Sequence, residues 1–344
     1  MSANWHPRSA LLVLLALVYA SAAETPANVS GGDTNHLSGT PTYRSTVSEV
    51  RVTFFATDEN HRAVATLTKS DFAVVDNEVV VRHFRSFAHS DETALDVFAL
   101  VDLSESVAPR LRSAMSDVLE LVAREQSIVD DNFAVLSFGG AVGGAVGGTG
   151  GTLGLTSASI RPAVLCASGC GASDSVSRLM AVKGGGSTPL FDALIFGADF
   201  IAHHRRAGAR PVVILFSDGN DTISMHSARD ALRAALDCNA PIYTVDMGAP
   251  QNDMSGSAFL RQVSEASGGR YFPWSPPQSQ RFSQQNGAAA VLNAVLEDLR
   301  ASYVVTYDLP NHEAGFHSLY IMPTHNLNLT FHGRGGYYYE PGAN

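Results

Sequence analysis

Three short stretches place oxygen-bearing side chains where apolar runs end. FALVDLSESV (98–107) sets Asp102, Ser104 and Ser106 in a D-x-S-x-S spacing. GGGSTPLFDAL (184–194) sets Thr188 on a Gly-rich loop before an apolar stripe, and VVILFSDG (212–219) ends on Asp218. Two carboxylates and three hydroxyls suit a hard divalent cation, Mg2+ or Mn2+ first and Ca2+ after them. Ser104 and Ser106 alternate with other residues, so both hydroxyls can face one side of a tight loop. The plainer account is a turn and a helix cap, for which Ser and Asp are ordinary residues. Only the surrounding elements can choose between the two.

Those elements alternate. DVFALVD (96–102) is a continuous apolar run ending in an acid, as expected of a strand buried on both faces. Residues 107–127 follow as a helix, with Leu111, Met115, Val118, Leu119 and Val122 on one face and Pro109 in the first turn. Strands are expected at 132–138, 211–219, 241–248 and 268–272, and helices at 190–204, 227–238 and 259–266. Strand and helix in alternation predict a Rossmann-like, doubly wound, mostly parallel sheet. Ligands gather outside the carboxyl ends of such strands. Asp102 and Asp218 both sit at such ends, and the loop carrying Thr188 returns to the same side of the sheet. The five residues therefore converge, which the turn-and-cap account does not require.

The rest of the chain narrows the class. Its 344 residues carry a formal net charge of −10, which leaves no electrostatic footprint for nucleic acid or an anionic membrane. The 12 histidines form no H-E-x-x-H signature. Residues 1–23 have a polar start with Arg8, an apolar stretch and small residues at Ala20 to Ala23, the pattern of a secretory signal peptide. Residues 24–44 read as a disordered leader, and no second long apolar run gives the mature protein a membrane span. Cys166, Cys170 and Cys238 are an odd set: Cys166 and Cys170 could close a small loop in an oxidising compartment, or stay unpaired. The Gly-rich tract 139–154 reads as a hairpin tip before a returning edge strand near 153–156, or as a rim beside the metal. No G-x-S-x-G elbow is present, and no histidine is placed as a base for Ser104 or Ser106. The chain is expected not to be an enzyme, although a metal-dependent hydrolase stays open in principle.

With D-x-S-x-S after one strand, Thr188 before a helix and S-D-G after another strand, residues 94–275 resemble a von Willebrand factor type A (VWFA) domain. The flanks make the whole similar to the exported VWFA-related proteins of acidobacteria, a source in which the sequons at Asn28, Asn220 and Asn328 would usually carry no glycan. The resemblance implies a metal-ion-dependent adhesion site. Ser104 and Ser106 would bind the ion directly, Asp102 and Asp218 directly or through water, and Thr188 when a ligand is engaged. It implies a partner offering an Asp or Glu carboxylate, for adhesion or assembly. A structural cell-envelope scaffold is the alternative. The flanks, 45–93 and 296–341, have about three strand-like segments each, too few to stand alone. Joined, they predict a discontinuous antiparallel β-sandwich with the VWFA domain inserted between its halves. Residues 276–295 form a linker and the start of a helix. Export to the periplasm or beyond follows from the leader.

Overall fold

The computed structural model describes residues 49–90, 94–115, 132–139, 162–182, 184–248, 254–274 and 287–341. The expected signal peptide, the leader, the second half of the 107–127 helix, the Gly-rich tract beyond Gly139, the return strand at 153–156 and linker residues 276–286 lie outside the described residues.

Strands β1 (Glu49–Thr57), β2 (Phe72–Asp76), β3 (Val79–Val80) and β4 (Ser86–His89) come first. The alternating segment follows with β5 (Leu95–Asp102), helix α1 (described over 108–115), β6 (Asn132–Phe138), β7 (Ala163–Cys170) and α2 (Ala172–Ala181). It continues through α3 (Leu190–His204), β8 (Arg210–Ser217), α4 (Ala228–Asp237), β9 (Ile242–Asp246), α5 (Met254–Ser267), β10 (Tyr271–Pro273) and α6 (Ala288–Arg300). The chain ends in β11 (Tyr303–Asp308), β12 (Gly315–Pro323), β13 (Thr330–Gly333) and β14 (Gly336–Tyr339).

The central sheet has the order β10-β9-β8-β5-β6-β7. Its first five strands are parallel, and β7 is an antiparallel edge. β5 shows why its run is apolar throughout. Val97 and Val101 face one core with Leu111, Met115, Val176, Leu179, Val291 and Val295, from α1, α2 and α6. Phe98 and Leu100 face the other, with Leu190, Leu194, Ala231 and Leu260, from α3, α4 and α5. Each fully buried Leu, Val or Phe contributes about 1.5–3 kcal/mol, so the two-sided burial of β5 fixes it at the centre. Helix α4 starts at a full capping box: Ser227 Oγ accepts from Asp230 N, and Ser227 N donates to the Asp230 carboxylate.

Among the described residues the antiparallel edge strand beside β6 is β7. It contains the Cys166–Cys170 disulfide, so the pair left open by the sequence is joined. Cys238 is free and half-buried, and burial pushes its thiol up to about 11. Helix α6 runs to Arg300, and Val295 and Leu299 pack under the central sheet, so its helical cover extends past residue 275.

The flanks interleave in two antiparallel sheets, β13-β1-β11-β4 and β14-β12-β2-β3. Their facing residues form one core, including Val52, Phe54, Phe72, Val74, Val305, Tyr307 and Leu319. Residues 78–87, strand-like throughout in sequence, are not one strand. Val81, Phe84 and Phe87 all pack against this core. A spacing of three cannot stay on one face of a period-two strand, so the chain leaves β2 after Val80 and reaches β11 only at Ser86. Within the core, Asp76 accepts hydrogen bonds at 2.8 Å from the hydroxyls of both Tyr307 and Tyr337, and His317 Nδ1 lies 3.4 Å from its other oxygen.

His332 on β13 stacks on Phe55 with ring centroids 4.7 Å apart, and its Nε2 lies 3.1 Å from Thr57 Oγ1. Burial lowers its pKa from 6.5 to about 4. The unfolded chain therefore takes up a proton below pH 6.5 that the folded chain refuses. The stability from this group is complete above that pH and is lost as pH falls toward 4, by up to about 3 kcal/mol. Urea midpoints at about pH 7.5 and 4.5 should show a smaller difference for His332→Gln than for the wild type; equal differences would remove His332 as the cause.

Candidate metal centre at the carboxyl ends of β5 and β8

Neighbouring parallel strands bring the candidate residues together. Val101 of β5 pairs with Phe216 of β8, so Asp102 and Ser217 end the two strands side by side. Asp102 has no exposed surface. Its Oδ1 accepts from Ser104 N at 2.9 Å, and its Oδ2 from Ser217 Oγ at 2.7 Å. The same Ser217 hydroxyl accepts from Gly219 N at 3.1 Å, tying the loop after β8 to the acid that ends β5.

From there the contacts run outward. Ser104 Oγ lies 3.2 Å from Ser106 Oγ, and Ser106 Oγ donates to Asp218 Oδ2 at 2.6 Å. The other Asp218 oxygen accepts from Asn220 N at 3.1 Å. Four of the five residues thus form one continuous chain of contacts, with Ser104 buried and Ser106 exposed. Thr188 is held from the other side. Its N–H donates to Thr222 Oγ1 at 2.7 Å, and its carbonyl accepts from Thr222 N at 2.9 Å, which binds its loop to the one that follows Asp218. Leu103 O accepts from Gly185 N at 2.8 Å, bringing the Gly-rich loop against the D-x-S-x-S loop.

Two glycines make this closeness possible. Gly139 follows β6 with φ +69°, and a Cβ there would lie 3.0 Å from Ser104 N, 3.2 Å from Asp102 Oδ1 and 3.3 Å from Ser187 O. Gly219, at φ +79°, meets Gly256 of α5 so closely that a Cβ would overlap the Gly256 carbonyl. Both have the left-handed backbone that glycine adopts without strain.

Burial pushes the Asp102 carboxyl up to about 6 against the pull of the Ser104 and Ser217 hydrogen bonds, and the nearby Asp218 charge adds to the rise. Among the described residues no group of three or more His, Cys, Asp or Glu side chains gathers at one point. The candidate centre has two carboxylates, and hydroxyls make up the rest. An all-oxygen set around a buried acid crowded by a second one fits a hard divalent cation in its donor chemistry. It does not fit a zinc site of thiolates and imidazoles.

The sequence reading missed the residues that brace these five. Asp246 ends β9, beside β8, and accepts from Gly248 N, Ser257 Oγ and Tyr271 Oη at 2.6–2.7 Å. The bonds to Ser257 and Tyr271 hold α5 and β10 in place, and the bond to Gly248 N shapes the loop after β9. The rule that selected Asp102 and Asp218, an acid at the end of a buried strand, would also have found it. Asp192 and Asp221 are a second brace. Asp192 accepts from the backbone N–H of Met225 and His226, and Asp221 from that of Phe191 and Ser224, locking the loop after β8 onto the start of α3.

No protein-family model and no curated protein matches the chain. Solved structures similar to it include a von Willebrand factor type A protein from Catenulispora acidiphila, at 10% identity and a TM-score of 0.42, covering 87% of this chain and 76% of that one. The manganese-loaded TRAP protein of Plasmodium vivax is 15% identical with a TM-score of 0.39, over 77% of this chain and 98% of that one. The pilus adhesin SpaC of Lactobacillus rhamnosus GG, in an open conformation, is 10% identical with a TM-score of 0.44, over 83% of this chain and 47% of that one. Residues 95–300 have five parallel strands, an antiparallel edge strand, helices on both faces and a D-x-S-x-S loop leaving the central strand. That is the doubly wound, mostly parallel α/β sheet expected from the sequence.

Proposed function

We infer that the chain is an exported binding protein that holds Mg2+ or Mn2+ on Asp102, Ser104, Ser106, Thr188 and Asp218. Through that ion it captures an Asp or Glu carboxylate of a protein partner. The observation that carries this reading is the run of oxygens from Ser104 through Ser106 to Asp218, with steps of 3.2 and 2.6 Å, spanning the loops after two adjacent parallel strands. The ion, when bound, supplies an open coordination position for an incoming carboxylate. The chain's own part is positioning. Ser217 and Ser104 N fix Asp102, Asn220 N fixes one oxygen of Asp218, and Thr222 fixes the backbone of Thr188. Ser106 is exposed at the mouth, where a partner would arrive. Among the described residues no helix is long and apolar enough to cross a membrane; export rests on the leader read from the sequence.

One observation favours a second reading. The Ser106–Asp218 hydrogen bond joins the two loops by itself, as a structural envelope module without a partner would require.

Titration of Mg2+ and Mn2+ into EDTA-treated full-length protein separates the readings. One binding site is expected in the wild type and none in Asp102→Ala. Ser106→Ala, at an exposed position, should fold normally and bind at least about tenfold more weakly, the loss of one oxygen ligand. A peptide bearing a single Glu should be retained by immobilised protein in Mg2+ and released by EDTA. Metal binding with EDTA-insensitive retention, or none, would leave the structural module. No metal binding, with or without the peptide, would sink the metal centre.

Gly139→Ala tests how tightly the loops must close. The new methyl group would press on Asp102 Oδ1 and Ser104 N, and the positive φ would cost about 1 kcal/mol. Metal affinity should fall while the circular dichroism spectrum is kept. Unchanged affinity would show that the loop after β6 is not part of the centre.

A further inference from the structure

The end of the central sheet opposite the candidate metal centre holds a cavity of about 490 Å³. It lies where β1 meets the amino ends of β8 and β9. Arg51, Arg205, Arg206, Arg210 and Arg334 all line it, and none of its described lining residues is acidic. Five arginines along one space are unexpected in a chain of net charge −10. The buried carboxylates at this end of the fold are already engaged. Asp96 takes Arg206 Nε and Arg206 N, each at 2.6 Å, and Asp298 takes Arg270 at 2.9 and 3.1 Å. Neither lines the cavity.

The donors around the space are not all used. Tyr243 is fully buried and lines the cavity, and its hydroxyl has no hydrogen-bond partner among the described residues. Arg334 spends Nη1 on Asn239 Oδ1 and Nη2 on Arg51 O, while its buried Nε has no such partner. A buried donor left unpaired is costly. An acceptor entering the cavity would satisfy the donor it met, and an anionic one would also offset the positive charge of the lining arginines.

We propose that this cavity binds a small organic oxyanion, carrying a phosphate or a carboxylate, on Arg51, Arg334 and the Tyr243 hydroxyl. A bare phosphate is too small to fill the space, and Phe55 and Pro211 give it an apolar wall. Such a ligand would touch both the central sheet and the sheet that holds β1, and so fasten the two together. The site is independent of the metal reading.

The test is calorimetry on full-length protein in EDTA with three probes: phenyl phosphate, phenylacetate and inorganic phosphate. One-to-one binding of an aromatic probe tighter than about 1 mM is expected. Phenyl phosphate against phenylacetate tells phosphate from carboxylate. Tyr243→Phe removes one oxygen without changing shape and should weaken binding about tenfold, as should Arg334→Gln. Because EDTA removes any divalent ion, binding in these titrations is read apart from the metal centre. No saturation with either aromatic probe by about 1 mM would overturn the proposal. So would equal affinities in the wild type and Tyr243→Phe, or tighter binding of inorganic phosphate than of either aromatic probe.

Discussion

A carboxylate with no exposed surface needs partners placed to satisfy it, and Asp102 takes them from two different strands. Ser104 N comes from its own loop, and Ser217 Oγ from the end of β8. The bond to Ser217 exists only because β5 and β8 run parallel in a register that ends them together. From that bond the loop after β8 is set through Gly219, the Asp218 carboxylate through Asn220, and the Thr188 loop through Thr222. A register shift of one residue would turn Asp102 to the other face of the sheet and undo the arrangement. The two-sided burial of β5 works against such a shift, because each face already carries its own apolar set.

Much of this was legible in the sequence because the signal was periodic and long. The stripe Leu190, Ala193, Leu194, Gly197, Phe200 and Ile201 is the buried face of α3. The continuous runs ending at Asp102 and Asp218 are central parallel strands, and strand ends on one side of a doubly wound sheet have to meet. Other parts were not legible, for physical reasons. The edge strand β7 carries Ala, Ser, Gly and two cysteines, so its pairing comes from partner strand β6 and not from its own pattern. The run 78–87 looks β-branched and aromatic, but the packing of Val81, Phe84 and Phe87 at intervals of three overrides that propensity. Asp192 and Asp221 are single acids whose partners lie in other loops, and no local pattern marks them; Asp246, at the end of the buried strand β9, did carry such a pattern.

The charge distribution has a similar lesson. A net charge of −10 describes the chain as a whole, and it says nothing of where the arginines sit. Arg51 and Arg334 come from the flanks, and Arg205, Arg206 and Arg210 from the segment between them. Folding gathers them at one seam. Composition averages over such a cluster, and only the tertiary structure reveals it.

The interleaving of the flanks bears on how the chain must be built. β1 has β11 on one side and β13 on the other, with Glu49 opposite Asp308 and Thr57 opposite Thr330. Both partners emerge only after the whole central sheet has been synthesised. Until then β1 is a strand with two open edges and an apolar face, the kind of template that recruits other chains. Closing so long a loop is slow unless the segment between has already condensed. The inserted α/β unit is therefore a spacer for folding as well as the carrier of the candidate site: its own collapse brings Leu95 and Leu299 together around Arg210, and only then can the two ends of the chain find one another.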